Sequence, residues 1–206
     1  LDASLMDGRT LAVGAVGALQ GFLHPISVAR AVMERLPHVF LVGEGAARFA
    51  DEWHLERAEN VTPVVREAWE SWLWPRLSRE QQVRWPDIPL TPLALQTVDP
   101  LTVQGTTVFL AQDVTGHLAG GVSTSGWSWK YPGRLGDSPV IGAGNYADSR
   151  YGAAGCIGSG ELTIRAASAR SIVLYMKMGM GVRDAVYEAA DDLRHLHHTY
   201  SGSVTL

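Results

Sequence analysis

The residues best suited to covalent chemistry lie in one glycine-rich part of the chain, beginning at the Gly105–Thr106 step. A Thr hydroxyl is a weak nucleophile that needs a base close by. If the chain were cut before Thr106, its new α-amine, with an ordinary pKa of about 7.7–8.0, could accept the hydroxyl proton at neutral pH. Gly105 has no side chain to obstruct attack on its carbonyl. The step is therefore compatible with a Thr nucleophile freed by self-cleavage. On spacing alone, however, the favoured interpretation is that Thr106 and Thr107 simply open a strand as β-branched residues.

A cation and an anion follow in the same part of the chain, because Arg134 and Asp137 both stand on a loop with several glycines. The planar guanidinium of Arg binds a carboxylate through two parallel hydrogen bonds, and a carboxylate can pair with an ammonium group. Together the two side chains could hold an amino acid by both charges of its head group. The alternative is a surface ion pair.

Two further patterns have a binding interpretation that we do not favour. The segment Gly142–Ala147 matches a G-x-G-x-x-A dinucleotide fingerprint, which requires a helix directly after it, whereas residues 145–155 have no helical periodicity. His195, His197 and His198 near a helix end could bind a metal, but a cation there is also stabilised by the helix dipole. We therefore predict no metal site.

The elements that must position these residues come in runs of strands and runs of helices rather than in strict alternation, which favours antiparallel sheets covered by helices. Hydrophobic periodicity predicts, in chain order, a strand within 11–22, a helix at 25–36, a short buried strand at 38–42, a helix at 46–53, a hairpin of strands 106–112 and 117–124, a strand at 151–157, one helix at 161–178 ended by Gly179, and a helix from 182 to about 197.

Residues 54–103 differ from the rest, because they are rich in Pro and Trp with charges between. Short helices are predicted at 64–73 and 78–83, and the remainder is interpreted as a long linker. We expect the indole rings to pack the linker onto the surface of the domain. The alternative is an aromatic platform for a ligand.

Bulk composition narrows the class of protein. The 206 residues suit one domain with a sizeable core, and the net charge of −4 argues against a nucleic-acid partner. The single cysteine, Cys156, excludes an internal disulfide, is predicted to be a buried apolar filler and fits a cytoplasmic location. The longest apolar run, 11–23, is too short to span a bilayer.

Several motifs together carry a family resemblance. They are GTT at 105–107, STSG at 123–126, PGRLGDSPVIGAG at 132–144, IGSGE at 157–161, DASLMDG at 2–8 and a longer apolar segment at 25–50. With these motifs the chain resembles the N-terminal-nucleophile (Ntn) hydrolases of the plant-type asparaginase, isoaspartyl aminopeptidase and glycosylasparaginase family. The resemblance covers nearly the whole chain except the Trp-rich linker.

The resemblance implies a role for each motif residue. Thr106 would be the nucleophile and new N-terminus after cleavage from Gly105, with Thr124 orienting it. Arg134 would bind the α-carboxylate of the substrate, and Asp137 its α-ammonium group. The oxyanion would be met by the Gly158 N–H, and the Gly160 carbonyl would help to hold the ammonium group. Ile157 departs from the family, which has a Thr there, and an Ile cannot supply the second oxyanion donor.

The resemblance also implies the architecture and the reaction. We expect one α+β domain, a four-layer αββα sandwich, cut into an N-terminal subunit (1–105) and a C-terminal subunit (106–206) that assemble as a homodimer. The expected activity is hydrolysis of L-asparagine or β-aspartyl peptides to aspartate. The alternatives are a glycosylasparaginase and a non-catalytic relative damaged at Ile157. No cofactor is expected, because the structural sodium of the family is held by a loop that precedes this sequence; nor are nucleic-acid or membrane partners.

Overall fold

The computed structural model describes residues 1–97, 105–196 and 203–206. The strands in chain order are β1 (Asp2–Asp7), β2 (Val13–Gly17), β3 (Phe40–Val42), β4 (Thr106–Gln112), β5 (Leu118–Thr124), β6 (Asn145–Asp148), β7 (Gly152–Gly155), β8 (Ile157–Gly158) and β9 (Val204–Thr205). The helices are α1 (Pro25–Arg35), α2 (Gly43–Glu52), α3 (Pro63–Leu73), α4 (Arg79–Arg84), α5 (Thr91–Ala94), α6 (Gly160–Ala166), α7 (Ser168–Lys177) and α8 (Val182–Arg194). The mixed content confirms the expected α+β class.

A five-stranded sheet in the order β3-β2-β1-β5-β4 carries the fold. Its neighbouring strands are antiparallel except for the parallel β2–β3 pair. Two glycines of β5 show what covers each face, because successive residues of a strand point to opposite sides. A Cβ at Gly121 would meet Ile26 of α1, whereas a Cβ at Gly120 would meet Asn145 and Ala147 of β6. Helix α1 and the β6–β7 hairpin therefore lie on opposite faces of the sheet.

Two apolar clusters hold these parts together. The first joins α1 and α2 to β1 and β2 around Phe22, Leu19 and Val28, which are fully buried. The second packs α7 and α8 against β7 and includes the buried Cys156, as predicted. Fully burying a side chain of this size contributes about 1.5–3 kcal/mol, so both clusters stabilise the sheet on which the site residues stand.

The two short helices predicted in the Trp-rich region are confirmed as α3 and α4, but the remainder is not only a linker. Residues 63–97 form α3, α4 and α5 around their own buried cluster of Leu73, Leu77 and Leu93. Thr62 caps α3 through its side chain, and Ser78 and Gln81 form a capping box at α4, which is a strong local helix signal. The indole rings pack as expected, since Trp72 stacks on Trp129 with ring centroids 6.1 Å apart. Residues 98–103 of the expected linker lie outside the described part of the chain.

Three other expectations on local structure are corrected. The helix predicted at 161–178 is two helices, because Ala167 adopts a left-handed backbone with φ 49° and separates α6 from α7. Strand β3 is not buried: it is an edge strand with Phe40 38% and Val42 54% exposed. The helix predicted to run to about His197 ends at Arg194, and His197 and His198 lie outside the described residues.

The strand predicted at 151–157 is also corrected, because it is two short strands, β7 and β8, in separate sheets. Two other local predictions agree with the structure. Gly179 follows α7 with φ +98°, as a residue after a helix end does. A strand at Asn145–Asp148 directly follows Gly144, so the helix that a dinucleotide fingerprint requires is missing from this described segment. Within residues 1–97, 105–196 and 203–206, we find no helix with both the length and the apolar character needed to cross a bilayer.

Candidate active site

Thr106 and Thr124 face each other at the adjacent ends of β4 and β5. The antiparallel register pairs them directly, and their Oγ1 atoms are 2.9 Å apart, in hydrogen-bond contact. The Gly126 N–H also donates to Thr124 Oγ1 at 2.9 Å. Thr124 is 5% exposed, so packing restricts its hydroxyl. The Thr106 hydroxyl therefore has a fixed neighbour, in the place where the sequence predicted one.

These hydroxyls open into a cavity of about 390 Å³. Most residues with a predicted role lie on its wall: Gly105, Thr106, Thr124, Arg134, Asp137, Ile157 and Gly158. Gly160 lies behind Asp137 instead, because a Cβ at Gly160 would be 2.7 Å from the Asp137 backbone nitrogen. Its carbonyl oxygen lies 3.0 Å from Thr163 Oγ1. The fold thus brings the predicted side chains to one cavity and places Gly160 as the close-packed support of one of them.

Asp137 is the anion of the cavity, and it is 5% exposed. Thr163 donates its hydroxyl proton to Asp137 Oδ2 at 2.7 Å. Burial raises the pKa of the Asp137 carboxyl above its ordinary value of 3.8, because a charged carboxylate loses hydration there, while the Thr163 hydrogen bond opposes this rise. The site therefore holds a carboxylate that would gain from a cationic ligand group.

Hydrogen bonds from side chains of β1 and β6 hold the backbone next to Asp137. Asn145 donates through Nδ2 to Ser4 Oγ at 2.7 Å, and Ser4 in turn donates to the Ser138 carbonyl. Gly144 is required beside this loop, since a Cβ there would be 2.5 Å from the Asp137 carbonyl oxygen. A network of buried hydrogen bonds is costly to distort, and it holds the loop against the central sheet.

Arg134 supplies the positive charge, and the protein itself holds its guanidinium. Arg134 Nε donates to Glu161 Oε1 and Nη2 donates to Glu161 Oε2, both at 2.9 Å. The ring of Trp127 covers the guanidinium, with Arg134 Cζ 4.3 Å from the ring centroid. Arg134 and Glu161 side chains are 16% and 33% exposed. The pairing is therefore a half-buried bidentate ion pair beside the cavity. No residue within 1–97, 105–196 and 203–206 accepts a hydrogen bond from the other edge of the guanidinium.

The short β8–β9 pair forms the side of the cavity at which the family resemblance implied the oxyanion donors. Gly158 has φ +126°, and a Cβ there would be 2.1 Å from the Ser203 carbonyl oxygen, so only glycine fits. Ile157, 37% exposed, stands opposite Thr205 in the strand register. Ile157 offers no hydrogen-bond donor, but the side chain directly across from it carries a hydroxyl and also lines the cavity. Ser159, the other nearby hydroxyl, is only 1% exposed.

Comparison with known proteins agrees with this geometry. A family model described as asparaginase matches residues 1–206. The chain belongs to the asparaginase family. It is similar to an isoaspartyl peptidase of Salmonella typhimurium, at 40% identity over 87% of this chain and 55% of that protein. It is also similar to an N(4)-(beta-N-acetylglucosaminyl)-L-asparaginase of Elizabethkingia miricola, at 36% identity over 93% of this chain and 51% of that protein.

A third similar protein is a plant-type L-asparaginase of Pyrococcus abyssi, at 36% identity over 96% of this chain and 62% of that protein. The chain spans between about half and three-fifths of the length of these relatives. The three relatives carry different enzyme names, so membership of the asparaginase family does not by itself select one leaving group.

Sequence reasoning missed three residues that shape this asparaginase-family site: Thr163, Glu161 and Trp127. Glu161 was part of a quoted motif but received no role, and it lies 27 positions from Arg134. Thr163 lies 26 positions from Asp137. The first turn of α6 presents both Glu161 and Thr163 to the loop that carries Arg134 and Asp137. The start of a helix at Gly160 gave no indication of these two contacts in the sequence.

Of the three histidines considered as metal ligands, the structure describes His195. His195 Nε2 lies 3.6 Å from Asp191 Oδ2 on the exposed face of α8. Among the residues that the structure describes, no group of three or more His, Cys, Asp and Glu side chains is arranged to hold a metal ion.

Proposed function

We propose that the chain forms the catalytic part of a self-cleaving Thr amidohydrolase that acts on L-asparagine, on β-aspartyl peptides or on both, and releases aspartate. The contact between Thr106 Oγ1 and Thr124 Oγ1, at the mouth of a cavity that also holds Arg134 and Asp137, is the observation that carries this proposal. The relatives named as isoaspartyl peptidase and L-asparaginase support it.

The proposed reaction begins with attack of Thr106 Oγ1 on the Gly105 carbonyl carbon. The Gly105–Thr106 peptide bond breaks as the acyl group of Gly105 passes to Oγ1 as an ester. Water hydrolyses this ester, which leaves a carboxylate on Gly105 and a free α-amine on Thr106.

The free α-amine of Thr106 then accepts the proton of Oγ1, and Oγ1 attacks the side-chain carbonyl carbon of the substrate. The tetrahedral intermediate places its negative oxygen toward the Gly158 N–H. Its collapse breaks the carbon–nitrogen bond, the leaving amine takes the proton, and an aspartyl ester remains on Thr106. Water activated by the same amine hydrolyses the ester and releases aspartate.

Recognition of the substrate falls to the two charges of the cavity. The free edge of Arg134 would bind the α-carboxylate, and Asp137 would bind the α-ammonium group, with the Gly160 carbonyl behind it. This arrangement positions the head group before the chemical step, so that the side-chain carbonyl reaches Thr106 in one orientation.

We further propose the architecture of the whole enzyme as a four-layer αββα sandwich. The positions of α1 and of the β6–β7 hairpin on opposite faces of the sheet support it, as does the packing of α7 on the outer side of that hairpin. Cleavage would divide the chain into residues 1–105 and 106–206, and two cleaved units would form a homodimer in the cytoplasm.

One alternative has its own support. The Elizabethkingia miricola relative is named for N(4)-(beta-N-acetylglucosaminyl)-L-asparagine, so a glycan amine is a second candidate leaving group. A non-catalytic relative is the other alternative, because Ile157 lacks the hydroxyl that the family provides.

An aspartate-release assay separates these possibilities. Purified protein is incubated with asparagine, a β-aspartyl dipeptide and the glycan-asparagine conjugate, beside a Thr106→Ala variant. We expect release from asparagine or the dipeptide by the parent and none by the variant, because the variant lacks the attacking hydroxyl. Release only from the conjugate would select the glycosylasparaginase alternative. No release from any substrate would support the non-catalytic one.

A further inference from the structure

The guanidinium of Arg134 has two edges that can bind a carboxylate side by side, and the protein occupies one of them. A guanidinium carries five N–H donors. The edge formed by Nε and Nη2 is used by Glu161, with both distances at 2.9 Å. The other edge, formed by Nη1 and the second hydrogen of Nη2, keeps parallel N–H donors. Arg134 can therefore bind a ligand carboxylate through two parallel hydrogen bonds only along the edge formed by Nη1 and Nη2.

The surroundings of Arg134 fix this orientation further. Trp127 covers the guanidinium at 4.3 Å, and cation–aromatic contacts of this kind are stabilising. Gly136 leaves the space that the terminal nitrogen needs, because a Cβ there would lie 3.1 Å from Arg134 Nη1. The guanidinium is thus held along one edge and on its plane, and Arg134 lines the cavity.

Glu161 also changes the charge of the site. Arg134 contributes one positive charge, whereas Asp137 and Glu161 contribute two negative charges. Burial is the main cause of the raised pKa of the Asp137 carboxyl. The Glu161 carboxylate, held 2.8 Å from Arg134 Nη2, acts in the same direction, whereas Arg134 acts against it. A cationic group placed against Asp137 is therefore attracted by both carboxylates, and a second anionic group is repelled by both.

We propose that Glu161 is a positioning and specificity-determining residue, which fixes Arg134 and makes the cavity select zwitterionic head groups over dicarboxylates that lack an ammonium group. The selected ligand class is the α-amino acid, including its β-amides, and the rejected class is the simple dicarboxylate such as succinate. This inference rests on the proposed function, because it concerns the head-group end of the same cavity.

The test compares the binding of L-aspartate and succinate, which differ only in the α-ammonium group. Dissociation constants for both are measured by calorimetry on the parent, Glu161→Gln and Glu161→Asp proteins. Glu161→Gln keeps the size of the side chain but removes its charge, so the preference for aspartate over succinate should fall by roughly fivefold. Glu161→Asp keeps the charge but shortens the reach, so both ligands should weaken while the preference stays near that of the parent.

A matched control is Glu34→Gln, which breaks an exposed ion pair with Arg30 on α1 and should leave both constants unchanged. Loss of the Glu161 charge should change the preference for aspartate over succinate by more than about twofold. If the preference in Glu161→Gln stays within about twofold of the parent, the proposal is overturned while the proposed function stands. If the parent binds neither ligand, the head-group site and this inference are both overturned.

Discussion

The two ends of the cavity differ in how many of their residues have a hydrogen-bond partner or donor suited to the proposed role. At the head-group end, Arg134 and Asp137 each have a dedicated partner, Glu161 and Thr163, within 2.9 and 2.7 Å. At the reaction end, Thr106 has its Thr124 partner, but the oxyanion side offers the Gly158 backbone and an isoleucine where a hydroxyl is expected. Recognition of an amino acid thus has more support in the structure than turnover. Substitutions at the reaction end should therefore change kcat, and substitutions at the head-group end should change the affinity for aspartate.

The largest expected effect is at the reaction end. Ile157→Thr should raise kcat on the order of 10²-fold, because a second oxyanion donor stabilises the tetrahedral intermediate more than the bound substrate. Both residues are β-branched, so β8 should accept the change. Steady-state kinetics on asparagine and on a β-aspartyl dipeptide provide the measurement, and KM should change much less than kcat.

Thr205 provides the control for this prediction, since it faces Ile157 across the strand pair. If Thr205 already supplies the second donor, Thr205→Val should lower kcat and Ile157→Thr should have little effect. A kcat within about twofold of the parent in both variants would mean that neither position serves the oxyanion.

A smaller effect is expected at the head-group end. Arg134→Ala and Asp137→Ala should each weaken aspartate binding on the order of tenfold to hundredfold, because each leaves one charge of the ligand without its partner. Calorimetry on the purified protein tests this. Arg150→Ala is a matched control, since it breaks the Arg150–Asp148 pair on the β6–β7 hairpin without touching the cavity. Equal affinities in all four proteins would mean that the loop is only structural.

The smallest expected effect concerns pH. Because burial raises the pKa of Asp137, the native state binds this proton more tightly than the unfolded chain does. Stability should therefore fall as pH rises from the ordinary carboxyl pKa through the raised one. Asp137→Asn removes this dependence, so the variant should gain thermal stability over the parent at neutral pH and little in acid. Aspartate binding by the parent should decline as pH drops through the same window.

Thermal unfolding across this pH range, with Asp113→Asn as the comparison, checks the sign. Hydrogen bonds from Thr115 and His117 lower the pKa of the exposed Asp113, so its contribution runs in the opposite direction. An Asp137→Asn variant that is stabilised in acid rather than at neutral pH would contradict the assignment of burial as the dominant cause.

The sequence predicted contacts that follow from local pattern and missed those that depend on the tertiary fold. The hairpin of β4 and β5 was predicted from local pattern, and the contact of Thr106 with Thr124 was implied by the family resemblance. The Arg134–Glu161 pair spans 27 positions, and only the packing of α6 against the preceding loop creates it. In the Trp-rich region the helices predicted at 64–73 and 78–83 are confirmed as α3 and α4. Composition was misleading for the remainder, where α5 packs Leu93 into a buried cluster with Leu73 and Leu77. The break at Ala167 had no signal, because a non-glycine residue with positive φ is uncommon.

The central claim is that Thr106 becomes an N-terminus and acts as the nucleophile. Intact-mass analysis of the purified protein tests it most directly. The account predicts two fragments that correspond to cleavage between Gly105 and Thr106, the same two fragments, formed more slowly, for Thr106→Ser, and one uncut chain for Thr106→Ala. Normal cleavage of the Thr106→Ala protein, or a parent protein that stays whole, would contradict it.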